Sequence, residues 1–269
     1  MIILRPNTTK RALSAGKMVV GTMVFETRVP GIASLLAAGG FDFFIVDGEH
    51  SPTSLETLQA IALAARGANI TCLARVPSRF GSEHLSRPLD IGVEGLMVPQ
   101  VERVEEVKNI VQATRYYPLG RRGMALGIIH DDYRVSDPLE NISSANQEVF
   151  IIIQIESKQA IDHLEDLVRV EGIDAALVGP LDLSQSLGVP GQLRHPLVTQ
   201  YIETMIEKCA QANIPSGVYE RNPEDFAYWM KRGVRLLLCT SDIGMIITES
   251  KRMVAIVRDI AKGNQVFTF

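Results

Sequence analysis

The chain has 269 residues, of which 46% are hydrophobic, and its formal net charge is −4. This length suffices for one large α/β domain, and no shift in composition favours two small ones. The pI of about 5.8 leaves no basic footprint for nucleic acid. No apolar run reaches the roughly 18 residues that a membrane span needs.

Met1–Asn7 lacks the charged head and sustained apolar stretch of a secretory signal. Cys72, Cys209 and Cys239 lie in apolar segments without paired spacing. Such cysteines are typical of reduced core thiols, so we predict a cytoplasmic protein in which no cysteine is catalytic.

Short apolar runs alternate with amphipathic helical stretches along the whole chain. The predicted strands are Met18–Met23, Phe43–Val46, Thr71–Arg75, Gly95–Val98, Val149–Gln154, Ala175–Val178, Pro215–Val218 and Leu236–Cys239. The predicted helices are Gly31–Ala38, Ser54–Ala65, His84–Ile91, Val101–Ala113, Ala160–Val168, Pro196–Ala212, Pro223–Lys231 and Ile243–Lys262. Eight βα units in about 250 residues predict an α/β fold, a single-domain (β/α)8 TIM barrel. A doubly wound open sheet is the alternative.

Two further patterns refine this prediction. Glycines stand where four predicted helices should end, at Gly67, Gly92, Gly172 and Gly233. The segment from Tyr116 to Asn146 is too long for a simple connection, and such loops are usually functional. We expect it to cover the mouth of the barrel or an adjacent subunit.

Polar residues cluster at the carboxyl ends of the predicted strands: Asp47, Glu49, His50, Arg75, Gln154, Glu156 and Asp182. In a parallel barrel these ends meet at one mouth, where ligands bind. Singly, each has an ordinary explanation, such as a turn cap, an ion pair or a loop histidine. Together they indicate a site, because burying several charges is costly unless they pair or bind a metal.

Glu156 ends a buried apolar run, and Asp182 follows the next strand. Two hard oxygen ligands on neighbouring strand ends suggest a divalent cation, Mg²⁺, Mn²⁺ or Co²⁺. Water and a chelating 2-oxo acid such as pyruvate would complete its coordination. A soft metal is not favoured, because paired Cys and His ligands are missing.

The same pattern suggests roles for two more residues. Arg75 would stabilise an enolate oxygen, since a fixed guanidinium favours developing negative charge. His50 would act as a base or activate water, oriented by Asp47 three residues earlier.

Five motifs resemble those of the HpcH/HpaI aldolases, which are metal-dependent enzymes acting on 2-oxo acids. The motifs are Val46–His50, Arg75, Arg115–Gly123, Gln154–Lys158 and Gly179–Ser184, and the likeness runs from about Gly21 to Asp242. The resemblance implies reversible cleavage of a 4-hydroxy-2-oxo acid to pyruvate and an aldehyde. It also implies one TIM-barrel domain over residues 1–269, assembled as a hexamer of dimers with the last helix, about 243–262, exchanged between partners.

The resemblance also implies residue roles. Glu156 and Asp182 would be the metal ligands, and His50 with Asp47 the acid/base pair. Arg75 would bind the substrate keto oxygen, with Gln154 as a hydrogen-bonding residue. The pyruvate site would also use Gly179, Leu181 and Asp182, partly through backbone amides. Asp90 matches a position that reaches the site of a neighbouring subunit.

This chain departs from the family pattern where the aldehyde should bind. It has Met23 where tryptophan is common, Leu181 where alanine is common, and Tyr219 and Glu220 where small or apolar residues are common. Met124–Gly127 replaces a Gly-Ala-Ser sequence. The sequence therefore leaves the aldehyde partner open.

Three rival functions stay open. A Schiff-base (class I) aldolase needs a lysine of depressed pKa, for which Lys158 is the nearest candidate. A CoA-ester lyase of the citrate-lyase beta type would need extra basic residues that the sequence does not show. A non-catalytic binding relative would keep the fold without turnover.

Overall fold

The computed structural model describes residues 5–134 and 137–262. Its eight strands are all parallel and close into a barrel in chain order. They are β1 (Val19–Val24), β2 (Phe43–Asp47), β3 (Thr71–Arg75), β4 (Gly95–Val98), β5 (Phe150–Ile155), β6 (Ala175–Val178), β7 (Ser216–Glu220) and β8 (Leu236–Ser241). Val19 of β1 pairs with Leu236 of β8, which closes the barrel. The predicted TIM barrel is confirmed, and the open sheet is wrong.

Helices surround this barrel. Those of the described residues are α1 (Thr8–Ser14), α2 (Ile32–Ala38), α3 (Leu55–Ala68), α4 (Ser82–Leu85), α5 (Arg87–Asp90), α6 (Val104–Thr114), α7 (Pro138–Glu148), α8 (Lys158–Asp162), α9 (Leu164–Val168), α10 (Pro180–Ser186), α11 (Pro196–Gln211), α12 (Phe226–Met230) and α13 (Asp242–Ala261). Single 3-10 turns lie at Ile129–Asp131 and Pro223–Asp225.

The predicted elements are largely present, with differences in the helices. Helices α1, α7 and α10 were not predicted from the sequence. The helix predicted over His84–Ile91 is two helices, α4 and α5, which separate at Ser86, and the one predicted over Ala160–Val168 is α8 and α9, which separate at His163. Gly67 does not end a helix as predicted, because it lies inside α3, and the left-handed residue Asn69 follows that helix instead. The backbone amide of Asn69 donates to the Ala65 and Arg66 carbonyls, so an asparagine in the left-handed conformation replaces the expected glycine stop.

Alternation along the strands separates two cores. One buried cluster fills the barrel and includes Phe43, Ile45, Leu73 and Met97, while Leu13 of α1 joins it. A second cluster lies between the sheet and the helices. Side chains on a strand alternate between the two faces, so every second residue points into the barrel.

The same alternation shows that the last inward-facing residues of three strands are polar. Continuing the inward series from Ile45, Leu73 and Ile152 by two residues reaches Asp47, Arg75 and Gln154. Asp47 and Arg75 are also opposite one another in the register of β2 and β3. The strands thus bring polar groups together at the carboxyl end of the barrel.

The described residues of the long segment from Tyr116 to Asn146 pack outside the barrel. Arg66 of α3 donates a hydrogen bond to the Ile129 carbonyl at 2.5 Å, and Asn146 of α7 donates to the Tyr116 carbonyl at 3.0 Å. None of its described residues lines the pocket at the mouth, and Val135 and Ser136 lie outside the described residues. The expectation that it covers the mouth of its own barrel is therefore wrong for this part of the chain. A role at an adjacent subunit stays a prediction.

The last helix, α13, carries an exposed apolar surface. Its exposed side chains include Ile246, Ile247, Val254, Val257 and Ile260. Even so, no described helix combines the length and apolar character that crossing a membrane would require.

Candidate active site

A pocket of about 180 Å³ opens at the carboxyl ends of the strands. Its walls include six of the residues proposed from sequence: His50, Arg75, Gln154, Gly179, Leu181 and Asp182. Two more lie directly behind these walls, since Asp47 contacts Arg75 and Glu156 contacts Gln154. The structure thus brings together nearly all of the predicted site, with Asp90 as the exception.

Glu156 is buried, with 6% of its surface exposed, immediately after β5. Its carboxylate accepts hydrogen bonds from the backbone amide of Gln100 at 2.6 Å and from Nε2 of Gln154 at 2.5 Å. Burial raises the pKa of Glu156 to about 7, and the negative charges of Asp182 and Glu49 add to this effect. The mouth therefore holds an excess of carboxylate groups that a cation would compensate.

The donor set fits a hard divalent cation. Asp182 lies in the first turn of α10, exposed to solvent, and close enough to Glu156 to raise its pKa. Carboxylate oxygens are the ligands that Mg²⁺ and similar ions prefer. Within residues 5–134 and 137–262, no three His, Cys, Asp or Glu side chains form a group that could hold a metal ion. The protein would thus supply two ligands, and substrate and water would supply the others.

Gly179 lies beside the Glu156 carboxylate, where no larger residue would fit. A Cβ atom there would lie 2.7 Å from Oε2 of Glu156 and 2.8 Å from Nε2 of Gln154. The Gly179 amide donates to the Ile155 carbonyl at 3.0 Å, so it is already engaged in the barrel. The amide of Leu181, in the first turn of α10, has no partner within its helix. If backbone amides contribute to ligand binding as predicted, the α10 turn and not the Gly179 amide would supply them.

Arg75 is buried and held by two carboxylates. Its Nε lies 2.6 Å from Oδ1 of Asp47, and its Nη1 lies 3.1 Å from Oε2 of Glu49. Asp47 has no exposed surface and also accepts the backbone amide of His50 at 2.8 Å. Asp47 thus fixes both the guanidinium and the turn after β2. This pairing holds the Arg75 guanidinium in one orientation at the pocket wall.

The His50 imidazole does not pair with Asp47. It is largely exposed, and its Nε2 lies 3.7 Å from Oε2 of Glu49. The direct orientation of the imidazole by Asp47 that the sequence suggested is therefore not seen, because the Asp47 oxygens are taken by Arg75 and by backbone amides. An acid/base role for His50 stays a prediction.

Asp90 lies at the end of α5, away from the mouth pocket. It accepts a hydrogen bond from Nη2 of the buried Arg122 at 2.5 Å, and this guanidinium stacks on the ring of Tyr116. Asp90 therefore takes no part in the site of its own barrel. Its predicted role at a neighbouring subunit is untouched by this arrangement.

Gln100, which follows β4, was not predicted from the sequence as a site residue. Its backbone is left-handed, with a φ of 56°. In this conformation its amide binds Glu156, while its side-chain Nε2 donates to Oε1 of Glu49 at 3.0 Å. Its position after a strand was the only signal in the sequence. Left-handed backbone in a residue other than glycine is costly and collects at functional sites.

We predict that Gln100→Ala will separate metal binding from turnover. The substitution keeps the backbone amide on Glu156 but removes the hydrogen bond to Glu49, which helps to hold Arg75. Turnover should fall about tenfold, the usual scale for a hydrogen bond to a charged group, while Mn²⁺ affinity changes little. Mn²⁺ titration and kcat measured on the same preparation test this, and a parallel loss of both would contradict it.

The cysteines and Lys158 do not form an alternative site. Burial raises the pKa of Cys72, and it raises that of Cys209 to about 12, so neither is a ready nucleophile. Lys158 is exposed and bonded to Asp162 at 2.5 Å, and this hydrogen bond raises the lysine pKa. A Schiff-base lysine needs a lowered pKa. The geometry thus disfavours the class I reading.

Comparison with known proteins places this chain in a family. The model of the HpcH/HpaI aldolase/citrate lyase family matches residues 23–248. The 5-keto-4-deoxy-D-glucarate aldolases of Shigella sonnei (strain Ss046) and Escherichia coli (strain SMS-3-5 / SECEC) are each 29% identical over 248 residues, which cover 92% of this chain and 95% of theirs.

Solved structures of similar fold support the same family assignment. An HpcH/HpaI aldolase from Desulfitobacterium hafniense DCB-2 is 33% identical with a TM-score of 0.89, covering 93% of this chain and 96% of that one. The citrate synthase SbnG is 29% identical with a TM-score of 0.85, covering 95% of this chain and 99% of that one. The family thus includes aldolases as well as citrate-forming relatives, and this chain belongs to the HpcH/HpaI aldolase/citrate lyase family.

Proposed function

We propose that this protein is a divalent-metal-dependent aldolase that cleaves a 4-hydroxy-2-oxo acid reversibly to pyruvate and an aldehyde. The observation that carries the proposal is the buried Glu156 carboxylate near Asp182, at the mouth pocket that Arg75 also lines. Family membership and the curated aldolase relatives support it.

Glu156 and Asp182 would hold the cation, Mg²⁺, Mn²⁺ or Co²⁺. When bound, the cation would supply positive charge to the carboxylate and keto oxygens of the 2-oxo acid. Gln154 keeps Glu156 in place by its hydrogen bond. Gly179 leaves the space that this pair of side chains needs.

The remaining residues would handle charge and protons. His50 would take the proton from the 4-hydroxyl group as the bond between C3 and C4 breaks. The electron pair of that bond then moves into the pyruvate enolate, and the aldehyde departs. Arg75, held by Asp47 and Glu49, would stabilise the enolate oxygen until C3 is protonated.

A substrate panel tests the proposal. Purified protein is given 4-hydroxy-2-oxo acids of different lengths, with and without a chelator, and pyruvate release is measured. Metal-dependent release from at least one acid is expected. No release from any acid, together with cleavage of a CoA ester such as citryl-CoA, would favour the citrate-lyase alternative. Pyruvate release unaffected by chelation would overturn the metal requirement.

Arg75→Lys should lower kcat by on the order of 10²-fold. Lysine keeps the charge but loses the planar fork that binds Asp47 and Glu49 together. Both aldol cleavage and the exchange of pyruvate methyl protons with D₂O should slow, because both pass through the enolate. If both rates stay unchanged, Arg75 does not have this role.

We further propose that α13 packs against a second copy of this chain. Ile246, Val254 and Val257 are exposed on this helix, although such side chains are usually buried. A dimer-based assembly would bury them, and exchange of the helix between partners is one way to do so. Sedimentation should therefore give a mass of several chains, and Val257→Glu should reduce it. A monomeric wild-type protein would contradict this proposal.

A further inference from the structure

Arg221 is a second cation in the mouth pocket. It follows β7, and its exposed side chain lines the pocket together with Arg75. Arg75 is neutralised by Asp47 and Glu49. In contrast, Arg221 forms no ion pair with any carboxylate of residues 5–134 and 137–262. Its positive charge is therefore available to a ligand.

Three acids lie within four residues of Arg221; two of them, Glu220 and Asp225, have other partners, and the exposed Glu224 forms no ion pair with it. The Glu220 carboxylate accepts the Trp229 indole N–H at 2.7 Å on the outer side of the barrel. Asp225 pairs with Arg194 at 2.8 Å. The loop after β7 thus supplies Arg221 to the pocket without a neutralising partner, although three carboxylates lie close along the chain.

Tyr219 lines the pocket together with Arg75 and Arg221. It is the inward-facing residue near the end of β7 and packs against the core inside the barrel. Burial raises the pKa of Tyr219, while the positive charges of Arg221 and Arg75 lower it, so this side chain is close to both guanidinium groups. Arg75 ends β3 and Arg221 follows β7, and these two strands lie opposite one another in the eight-stranded barrel. The two guanidinium groups therefore line the pocket from opposite sides.

The rest of the pocket lining is mostly apolar and includes Phe25, Leu193 and Leu238. A neutral aldehyde would gain contact with these apolar side chains but would leave Arg221 without an anionic partner. An aldehyde with a terminal anionic group would place that group against the free guanidinium. Arginine binds carboxylate and phosphate groups through two parallel hydrogen bonds, which makes it selective for them.

We propose that Arg221 is a specificity-determining residue that binds an anionic group, a carboxylate or a phosphate, on the aldehyde half of the substrate. This inference rests on the proposed aldolase function and names the substrate class of that site. The substrate would then carry negative charge at both ends, the 2-oxo acid at Arg75 and the second anion at Arg221.

Paired aldehydes test the proposal in the condensation direction with pyruvate. The carboxylate pair is 4-oxobutanoate and butanal, and the phosphate pair is glyceraldehyde 3-phosphate and glyceraldehyde. Arg221→Ala should lower kcat/KM for the preferred charged aldehyde by about 10- to 100-fold, mainly through KM, and by less than about threefold for its neutral partner. Arg221→Lys should recover part of the loss. The pair that shows the effect identifies the group.

Two controls separate the possible failures. Arg194→Ala removes a nearby arginine that is paired with Asp225 and does not line the pocket, so the charged-to-neutral ratio should not change. Exchange of pyruvate protons with D₂O needs no aldehyde and should stay at the wild-type rate in Arg221→Ala. Equal losses for charged and neutral aldehydes, or none, with this exchange intact would overturn the Arg221 proposal alone. A wild-type protein without exchange or condensation would overturn the aldolase function and this proposal with it.

Discussion

Glu156→Gln is expected to lower the rate of aldol cleavage by on the order of 10³-fold and to weaken cation binding strongly. The substitution keeps the size of a side chain that is buried between Gln100 and Gln154. It removes one of the two negative charges that would hold the cation, and a bound cation contributes several kcal/mol to such reactions. Mn²⁺ titration followed by turnover at saturating Mn²⁺ measures both effects.

Matched variants sharpen this result. Asp182→Asn removes the other carboxylate and should act in the same direction. Glu220→Gln changes a partly buried carboxylate at the end of β7 that binds Trp229, and it should leave Mn²⁺ affinity unchanged. If Glu156→Gln and Asp182→Asn turned over at near wild-type rates after chelator treatment, the two-carboxylate cation site would be wrong.

His50→Ala is expected to lower the cleavage rate by roughly 10²- to 10⁴-fold, the range for a positioned acid/base group. Metal affinity should barely change, because hard cations prefer the oxygen ligands that Glu156, Asp182 and substrate supply. The position of the imidazole beside Glu49 at the pocket wall supports this reading. The measurement is a metal titration of the variant, followed by its turnover at saturating metal.

A second histidine serves as the control for this variant. His84 also has an exposed imidazole beside a glutamate, 3.8 Å from Glu83, but it does not line the mouth pocket. His84→Ala should therefore keep the wild-type rate. Recovery of the His50→Ala rate by added Mn²⁺ would instead identify His50 as a metal ligand and overturn the assignment as a base.

The position of Glu49 connects these predictions. Its carboxylate contacts Arg75, receives the side chain of Gln100 and lies near the His50 imidazole. A loss of any of these partners changes the hydrogen bonding or the charge around the Glu49 carboxylate. Effects of Gln100 and Arg75 substitutions are therefore expected to be non-additive, since residues in one hydrogen-bond network couple energetically.

The sequence by itself determined the barrel and most of the polar residues at its mouth. Eight apolar runs that alternate with amphipathic stretches predict a parallel barrel, because few other compact folds accommodate this order of elements. The two-residue period of a strand then decides which side chains face inward at its end. Asp47, Arg75 and Gln154 could be assigned to the mouth for this reason, without any knowledge of the loops.

Only the tertiary structure decided how these groups pair. Gln100 reaches Glu156 across 56 positions of the chain through a left-handed backbone, and Asp47 binds Arg75 in preference to the His50 imidazole. Arg221 could not be assigned to the pocket from its sequence neighbours, because it follows the regular part of β7. Strand periodicity is a local property that a sequence displays directly. Contacts between loops depend on backbone conformations and competing partners, which exist only once the barrel has closed and brought distant segments together.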